Sequence, residues 1–219
     1  MNIKYFVRTI ETSKFNYDLD YEEILDTKHE YVMSFINALY KINDYDSVLL
    51  EDDLVLCKNF KEEIEKVIFE HPNDVINFFT CPNKYFTSHY GTEFVYNQCT
   101  YYPKGLAKIL ADKMIELRNK IGAEHVSSYG SLEGMALRQL GFRNYRYRPC
   151  LVQHIDGIST YNNHMFTRNS IYFKDYLDEL NINYDEAYKL DNKEKLSKLL
   201  ERDRNIWYKD LNINNWKEY

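Results

Sequence analysis

Cysteine is scarce and scattered: Cys57, Cys81, Cys99 and Cys150 are the full set in 219 residues. No two of them stand at the spacing of a zinc clip or a redox dithiol, so reduced, partly buried thiols are expected. No apolar run approaches the length that crosses a bilayer. The opening stretch Met1-Asn2-Ile3-Lys4-Tyr5-Phe6-Val7-Arg8 is apolar over too few residues to read as a secretory signal. The chain is therefore expected in the cytoplasm, with no membrane contact. A Gly-rich or Lys-bearing phosphate loop is missing after the first predicted strand, where Arg8-Thr9-Ile10-Glu11 stands instead. Internal repeats and low-complexity tracts are absent. Positive charge is also short, and a net charge of -6 argues against non-specific coating of nucleic acid while leaving room for a local basic patch.

Tyrosine is what the chain has in quantity, with 21 residues. Its apolar ring and polar tip suit half-buried walls and sugar- or base-binding surfaces, and the Tyr, Asn, Ile and Lys bias equally fits an AT-rich genome. The length fits one large domain, or one domain with a helical appendage. Ile3–Arg8 reads as a strand, followed by a polar loop through Asp26. Thr27 and Glu30 form a capping box before a helix with Val32, Phe35, Ile36 and Leu39 at helical spacing. Val48–Leu50 reads as a buried strand. Asn59 and Glu62 cap a second helix carrying Ile64, Val67 and Ile68, which His71-Pro72 stops.

Val75–Thr80 is a further strand, and 81–98 is a loop-rich excursion with turns at Pro82-Asn83 and Gly91. Cys99–Tyr102 is a short strand, and Pro103 opens a helix through about Asn119. A loop with His125, Ser127 and Ser128 leads to a helix from Ser131 to Leu140, ended by Gly141. Tyr145–Arg148 and Leu151–Ile155 are strands. After Ser159 strand signals fade, and Asp191 with Glu194 caps a helix bearing Leu196, Leu199 and Leu200. The expected organisation is an α/β core over 1–160 with a mixed sheet flanked by helices, and a helical C-terminal extension over 161–219.

The chemistry centres on Glu51-Asp52-Asp53, three carboxylates between the apolar runs Val48–Leu50 and Leu54–Leu56. Charge beside a buried strand is costly unless paired. Strand alternation points Glu51 and Asp53 one way and Asp52 the other. Two oxygen donors on one face suit Mg²⁺ or Mn²⁺, cations that also bind phosphate oxygens. The alternative is a strand ending in a tight acidic turn.

Three elements complement the acids. His154, in Val152-Gln153-His154-Ile155-Asp156-Gly157, ends an apolar strand and suits a mixed carboxylate/imidazole site, or a core or edge histidine. Glu133 lies off the helical face formed by Leu132, Met135, Ala136 and Leu140. A first-turn carboxylate is favoured by the helix dipole alone, yet flanking Gly130 and Gly134 allow another molecule to approach it as a general base. Arg138, Arg143, Arg146 and Arg148 alternate with Phe142, Tyr145 and Tyr147, a pattern that fits phosphate grip and base stacking or a solvated strand face. The aromatic-rich 85–102 segment, with Tyr96, Asn97 and Gln98, is a candidate wall of the site or plain packing.

In this order and spacing the chain resembles the GT-A-type glycosyltransferases, and its compactness is similar to that of small phage-encoded members. The resemblance covers about 1–160. It implies a GT-A-like fold and a DXD-type motif at Glu51-Asp52-Asp53, in which Asp53 holds the last, metal-binding position. It also implies His154 as the late metal ligand and Glu133 as the acceptor-side base of an inverting enzyme. Arg8 and Thr9 fall where such folds begin to cradle the donor base, and Asp52 and Arg148 join them as donor-binding candidates. The implied cofactor is Mn²⁺ or Mg²⁺ with a nucleotide diphosphate sugar, such as a UDP-sugar, as donor. The implied acceptor is a hydroxyl, either on hydroxymethylated pyrimidine in viral DNA, in the host cytoplasm, or on a glycan, protein or metabolite. The segment before the acids is shorter than usual for such folds, and Leu132-Glu133-Gly134 stands where paired acids are common. Two rivals remain: a metal-dependent nucleotidyltransferase, which the missing phosphate loop disfavours, and a catalytically silent binding module.

Overall fold

The computed structural model describes residues 2–9, 17–26, 30–79, 90–91, 97–126, 129–155, 157–158, 165–166 and 169–210. Strand β1 (Ile3–Thr9) runs parallel to β2 (Tyr21–Leu25) on one side and β3 (Asp46–Glu51) on the other. Helix α1 (Tyr31–Ile42) connects β2 to β3. A bend at 52–53 leads into the short β4 (Leu54–Leu56), then α2 (Phe60–Glu70) and β5 (Val75–Asn77). The chain continues through β6 (Tyr90–Gly91), β7 (Cys99–Tyr102), α3 (Leu106–Ile121), α4 (Tyr129–Leu140) and β8 (Asn144–Arg146). Strand β9 (Val152–His154), the small pair β10 (Gly157–Ile158) and β11 (Met165–Phe166), α5 (Lys174–Glu179) and α6 (Leu190–Asp210) complete it.

The main sheet has seven strands in the order β2-β1-β3-β7-β5-β8-β6 and mixes parallel with antiparallel pairs. It is an α/β fold with apolar side chains on both faces, as strands buried on two sides require. Phe6 and Leu49 face α1, α3 and α4 in one cluster, while Tyr5, Val7, Val48 and Leu50 face α2 in the other. The second cluster also holds Tyr172, Phe173, Tyr176, Leu177, Tyr184, Ala187 and Leu196. Residues on both sides of position 160 thus share one core.

Several local expectations shift. The expected polar loop contains β2, in which Ile24 is the one fully buried residue, so backbone pairing rather than apolar alternation makes the strand. Helix α1 has Glu30 at its N-cap with no side-chain cap bond, and Thr27 lies outside the described residues. Asn59 does precede α2, but through a left-handed backbone at φ 54° instead of a side-chain bond, a conformation Asn tolerates. Helix α3 starts at Leu106 because Gly105, at φ 83°, breaks the path from Pro103. Asp191 falls inside the first turn of α6.

Strand β5 ends at Asn77, short of the expected Thr80, which is outside the described residues. Strand β8 starts and stops earlier than expected, although the Tyr147 amide still donates to Asn77 O at 2.9 Å. Cys57, Cys99 and Cys150 are buried free thiols, and Cys81 is outside the described residues. Among the described residues no helix is long and apolar enough to cross a membrane.

A shared core makes α6 part of the cooperative unit. Leu196 is fully buried, so Leu196→Ala is expected to lower global stability by about 2–5 kcal/mol in a single urea transition. A variant in which 1–160 unfolds at the wild-type midpoint would show that α6 is independent.

Candidate metal centre

Parallel strands that end together put their terminal residues side by side. In the β1–β3 register Arg8 stands opposite Glu51. Arg8 Nη2 donates to Glu51 Oε1 at 2.8 Å, and its Nη1 reaches Ser34 Oγ on α1 at 3.5 Å. Both members of the ion pair are largely buried, with side chains 8% and 13% exposed. One residue further on, Thr9 Oγ1 donates to Asp52 Oδ2 at 2.6 Å. Glu51 and Asp52 therefore leave the sheet on different partners, as alternation requires.

The backbone then bends, and β4 pairs antiparallel with β9 so that Leu54 lies opposite His154. Ile155 N donates to Asp53 O at 2.9 Å, which extends this pairing back to the acids. His154 Nε2 lies 3.0 Å from Asp53 Oδ2. Glu51, Asp53 and His154 each present one ligand atom, all within 4.8 Å of one another. Two carboxylate oxygens and one imidazole nitrogen suit a divalent cation of the Mn²⁺ or Mg²⁺ kind. His154 is nearly buried and Asp53 half-exposed, so the cluster has a fixed inner wall and an outer side open to solvent.

Burial pushes the Asp52 carboxyl up to about 6, and the neighbouring Asp53 and Glu51 charges add to this against the pull of the Thr9 hydroxyl. Tyr17, inside the stretch expected as a polar loop, reaches the same bend. Its hydroxyl donates to Glu51 O at 3.0 Å and accepts from Leu54 N at 3.2 Å. No local pattern singles this tyrosine out from the other twenty in the chain.

Glu133 and Arg148 sit elsewhere in the contact network. The expectation that Glu133 points off the apolar face of α4, open to an approaching molecule, is corrected. Glu133 is fully buried, Tyr102 OH donates to its Oε1 at 2.7 Å, and Asn97 Nδ2 donates to its Oε2. Burial pushes its carboxyl up to about 8, more than these two bonds lower it. Arg148 lies over the Tyr184 ring, 5.4 Å from its centroid. Two rings of the basic-aromatic run pack against the protein, Tyr145 stacking on His71 at 3.9 Å and Tyr147 lying near Phe78 at 5.9 Å, while Phe142 is exposed. Arg143 Nη2 lies 3.4 Å from Asp74 Oδ1. Of the candidate wall, Gln98 O accepts from Glu51 N at 2.9 Å and Asn97 holds Glu133, while Tyr96 is outside the described residues.

No protein-family model matches the chain, and no curated protein matches it. Among solved structures, one described as "Crystal Structure of A197 from STIV" is similar at 13% identity, covering 78% of this chain and 95% of that chain with a TM-score of 0.41. A superposition of that quality assigns neither family nor activity.

The environment of Glu133 has a consequence for stability. A carboxyl raised from 4.5 to about 8 on folding keeps in the native state a proton that the unfolded chain releases. Its contribution is full below about pH 4.5, declines as pH rises, and is lost above about 8. Glu133→Gln removes the titration. With the Asn97 amide turned over, the introduced side-chain amide donates to Asn97 Oδ1, which has no partner among the described residues, while its carbonyl oxygen accepts from the Tyr102 hydroxyl. Urea unfolding from about pH 5 to about pH 9 should show a flatter profile for this variant. It should gain over wild type at the alkaline end by something on the order of a few kcal/mol. Parallel profiles would show that Glu133 is charged throughout.

Proposed function

We propose that the chain is a metal-dependent glycosyltransferase of the GT-A type. It would move a sugar from a nucleotide diphosphate sugar, with a UDP-sugar as the leading donor, to an acceptor hydroxyl. The observation that supports this reading is the convergence of Glu51, Asp53 and His154 where β1 and β3 end. The carboxyl ends of parallel strands are where open α/β folds collect their ligands.

Glu51, Asp53 and His154 are the residues that would hold Mn²⁺ or Mg²⁺. When bound, the cation supplies Lewis-acid neutralisation of the diphosphate that leaves the sugar. Arg8 fixes Glu51 and Thr9 fixes Asp52, so two of the acids are oriented before any ligand arrives. In the reaction the acceptor oxygen bonds to the anomeric carbon while the bond to the diphosphate oxygen breaks, and that oxygen keeps the electron pair. The acceptor proton goes to a base. Glu133 belongs to this proposal in that role: its carboxyl, raised to about 8, acts as base in the ionised form, whose share grows as pH rises towards that value. To use it the acceptor must enter between α4 and β7, displacing the bonds from Asn97 and Tyr102.

The acceptor itself is a hydroxyl on DNA, glycan, protein or metabolite. The packed tyrosines leave the DNA option resting on the arginines and the exposed Phe142, so a DNA acceptor must show binding that weakens steeply with salt.

Asp53→Ala is expected to abolish Mn²⁺-dependent hydrolysis or transfer of a UDP-sugar, with wild-type circular dichroism and melting. Full activity in Asp53→Ala, or no Mn²⁺ heat by calorimetry in the wild-type chain, would remove the metal from the reading. For stereochemistry, an inverted anomer lost in Glu133→Gln fits Glu133 as base. A retained anomer takes Glu133 out of that role.

A further inference from the structure

We infer that Tyr17 is the positioning residue of this cation site, a role that rests on the metal reading above. Strand alternation gives Glu51 and Asp53 the same facing, but it does not bring their oxygens together with His154. That requires the backbone to turn sharply between Glu51, the last residue of β3, and Leu54, the first of β4. The Tyr17 hydroxyl joins the two ends of this turn, donating to the carbonyl that enters it at 3.0 Å and accepting from the amide that leaves it at 3.2 Å. One oxygen thus closes the span that carries Asp52 and Asp53.

The clamp is rigid for reasons of packing. Tyr17 is 7% exposed and belongs to the core cluster that holds Val7, Val48, Leu50 and Leu54. Its ring meets Tyr21 of β2 edge-on, with centroids 5.8 Å apart at 68°. Burial raises its phenol well above the ordinary range, so the hydroxyl keeps its proton and its donor role at physiological pH. Both hydrogen-bonding functions of the oxygen are spent on the backbone, which distinguishes Tyr17 from a metal ligand. It acts through the acids, like the hydrogen-bonded partners that orient ligands in metal sites.

The test is Mn²⁺ binding by calorimetry and electron paramagnetic resonance on the full chain. Tyr17→Phe keeps the ring and removes the clamp. Tyr101→Phe is the matched control: its hydroxyl lies 3.1 Å from both Asp46 Oδ1 and Pro72 O, in the same core cluster but at the opposite end of β3. Tyr17→Phe is expected to weaken Mn²⁺ by about 10- to 100-fold and to alter the Mn²⁺ spectrum. Tyr101→Phe should leave both unchanged despite a comparable loss of stability. Wild-type affinity in Tyr17→Phe, or equal loss in both variants, overturns the positioning role while the metal site stands. No Mn²⁺ binding by the unsubstituted chain overturns the metal site itself and this role with it. If Tyr17→Phe does not fold, amide exchange of Leu54 in the unsubstituted, metal-free chain decides. Slow exchange supports the clamp and fast exchange overturns it.

Discussion

The position of His154 depends on a single register, that of β9 against β4. Side chains alternate along a strand, so a slip of one residue would turn His154 to the opposite face and put Gln153 or Ile155 beside Asp53. Three-residue strands hold register weakly by their ladder alone. Here the lock is Gln153, fully buried, whose amide is used at both ends: Nε2 donates to Ser170 O at 2.8 Å and Oε1 accepts from Ser170 N at 2.6 Å. A displaced β9 would leave these buried groups unsatisfied, at a cost of about 1–3 kcal/mol each. Asn169 adds a bond to the carbonyl of His154 itself, at 2.5 Å. The backbone that carries the imidazole is thus held in register by buried polar groups.

Crowding three carboxylates at one strand end is unfavourable, and each of the three is relieved differently. Glu51 has the Arg8 guanidinium in the adjacent strand, where low exposure strengthens the pair. Asp52 has the Thr9 hydroxyl, and its raised proton affinity shows that one hydroxyl does not fully offset burial among like charges. Asp53 faces His154 and solvent. The arrangement concentrates negative charge without dispersing it, which is the electrostatic condition a dication relieves. It also explains why Arg8 and Thr9 matter as neighbours in register, whatever ligand they meet.

Much of this was legible in the sequence, for identifiable reasons. The strand ending in acids and the strand ending in His154 were visible because apolar runs stop abruptly at charge. Helices α1 and α2 follow from their period, since Phe35, Ile36 and Leu39, or Ile64, Val67 and Ile68, are fully or nearly fully buried. What failed has physical causes. β2 sits at a sheet edge, where one buried isoleucine suffices and the pattern is silent. The buried face of α4 departs from its apolar pattern because Gly130 and Gly134 are buried without an apolar signal, while Met135 is 37% exposed. Beneath that face Asn97 and the Tyr102 hydroxyl donate to the carboxyl, so a polar Glu133 fits there. Tyr17 was invisible because its role depends on a backbone turn that no local spacing encodes.

The segment after position 160 carries more of the site than its helical pattern implies. Cys150, four residues before His154, bridges to Phe173, with Cys150 N donating to Tyr172 O at 3.0 Å and Lys174 N to Cys150 O at 2.9 Å. Tyr172, Phe173 and Tyr176 then enter the cluster that contains Leu54 and Val152, the residues of β4 and β9 behind the acids. Ser170 and Asn169, which lock β9, belong to the same stretch. The strand bearing the imidazole is therefore held from its far side by the C-terminal segment, and the strand bearing the acids from its near side by β1 and Tyr17. A cation site assembled this way draws its ligands from one core. Loosening the packing around Tyr172 and Phe173 would move His154 relative to Asp53, because Asn169 and Ser170 of the same stretch hold β9.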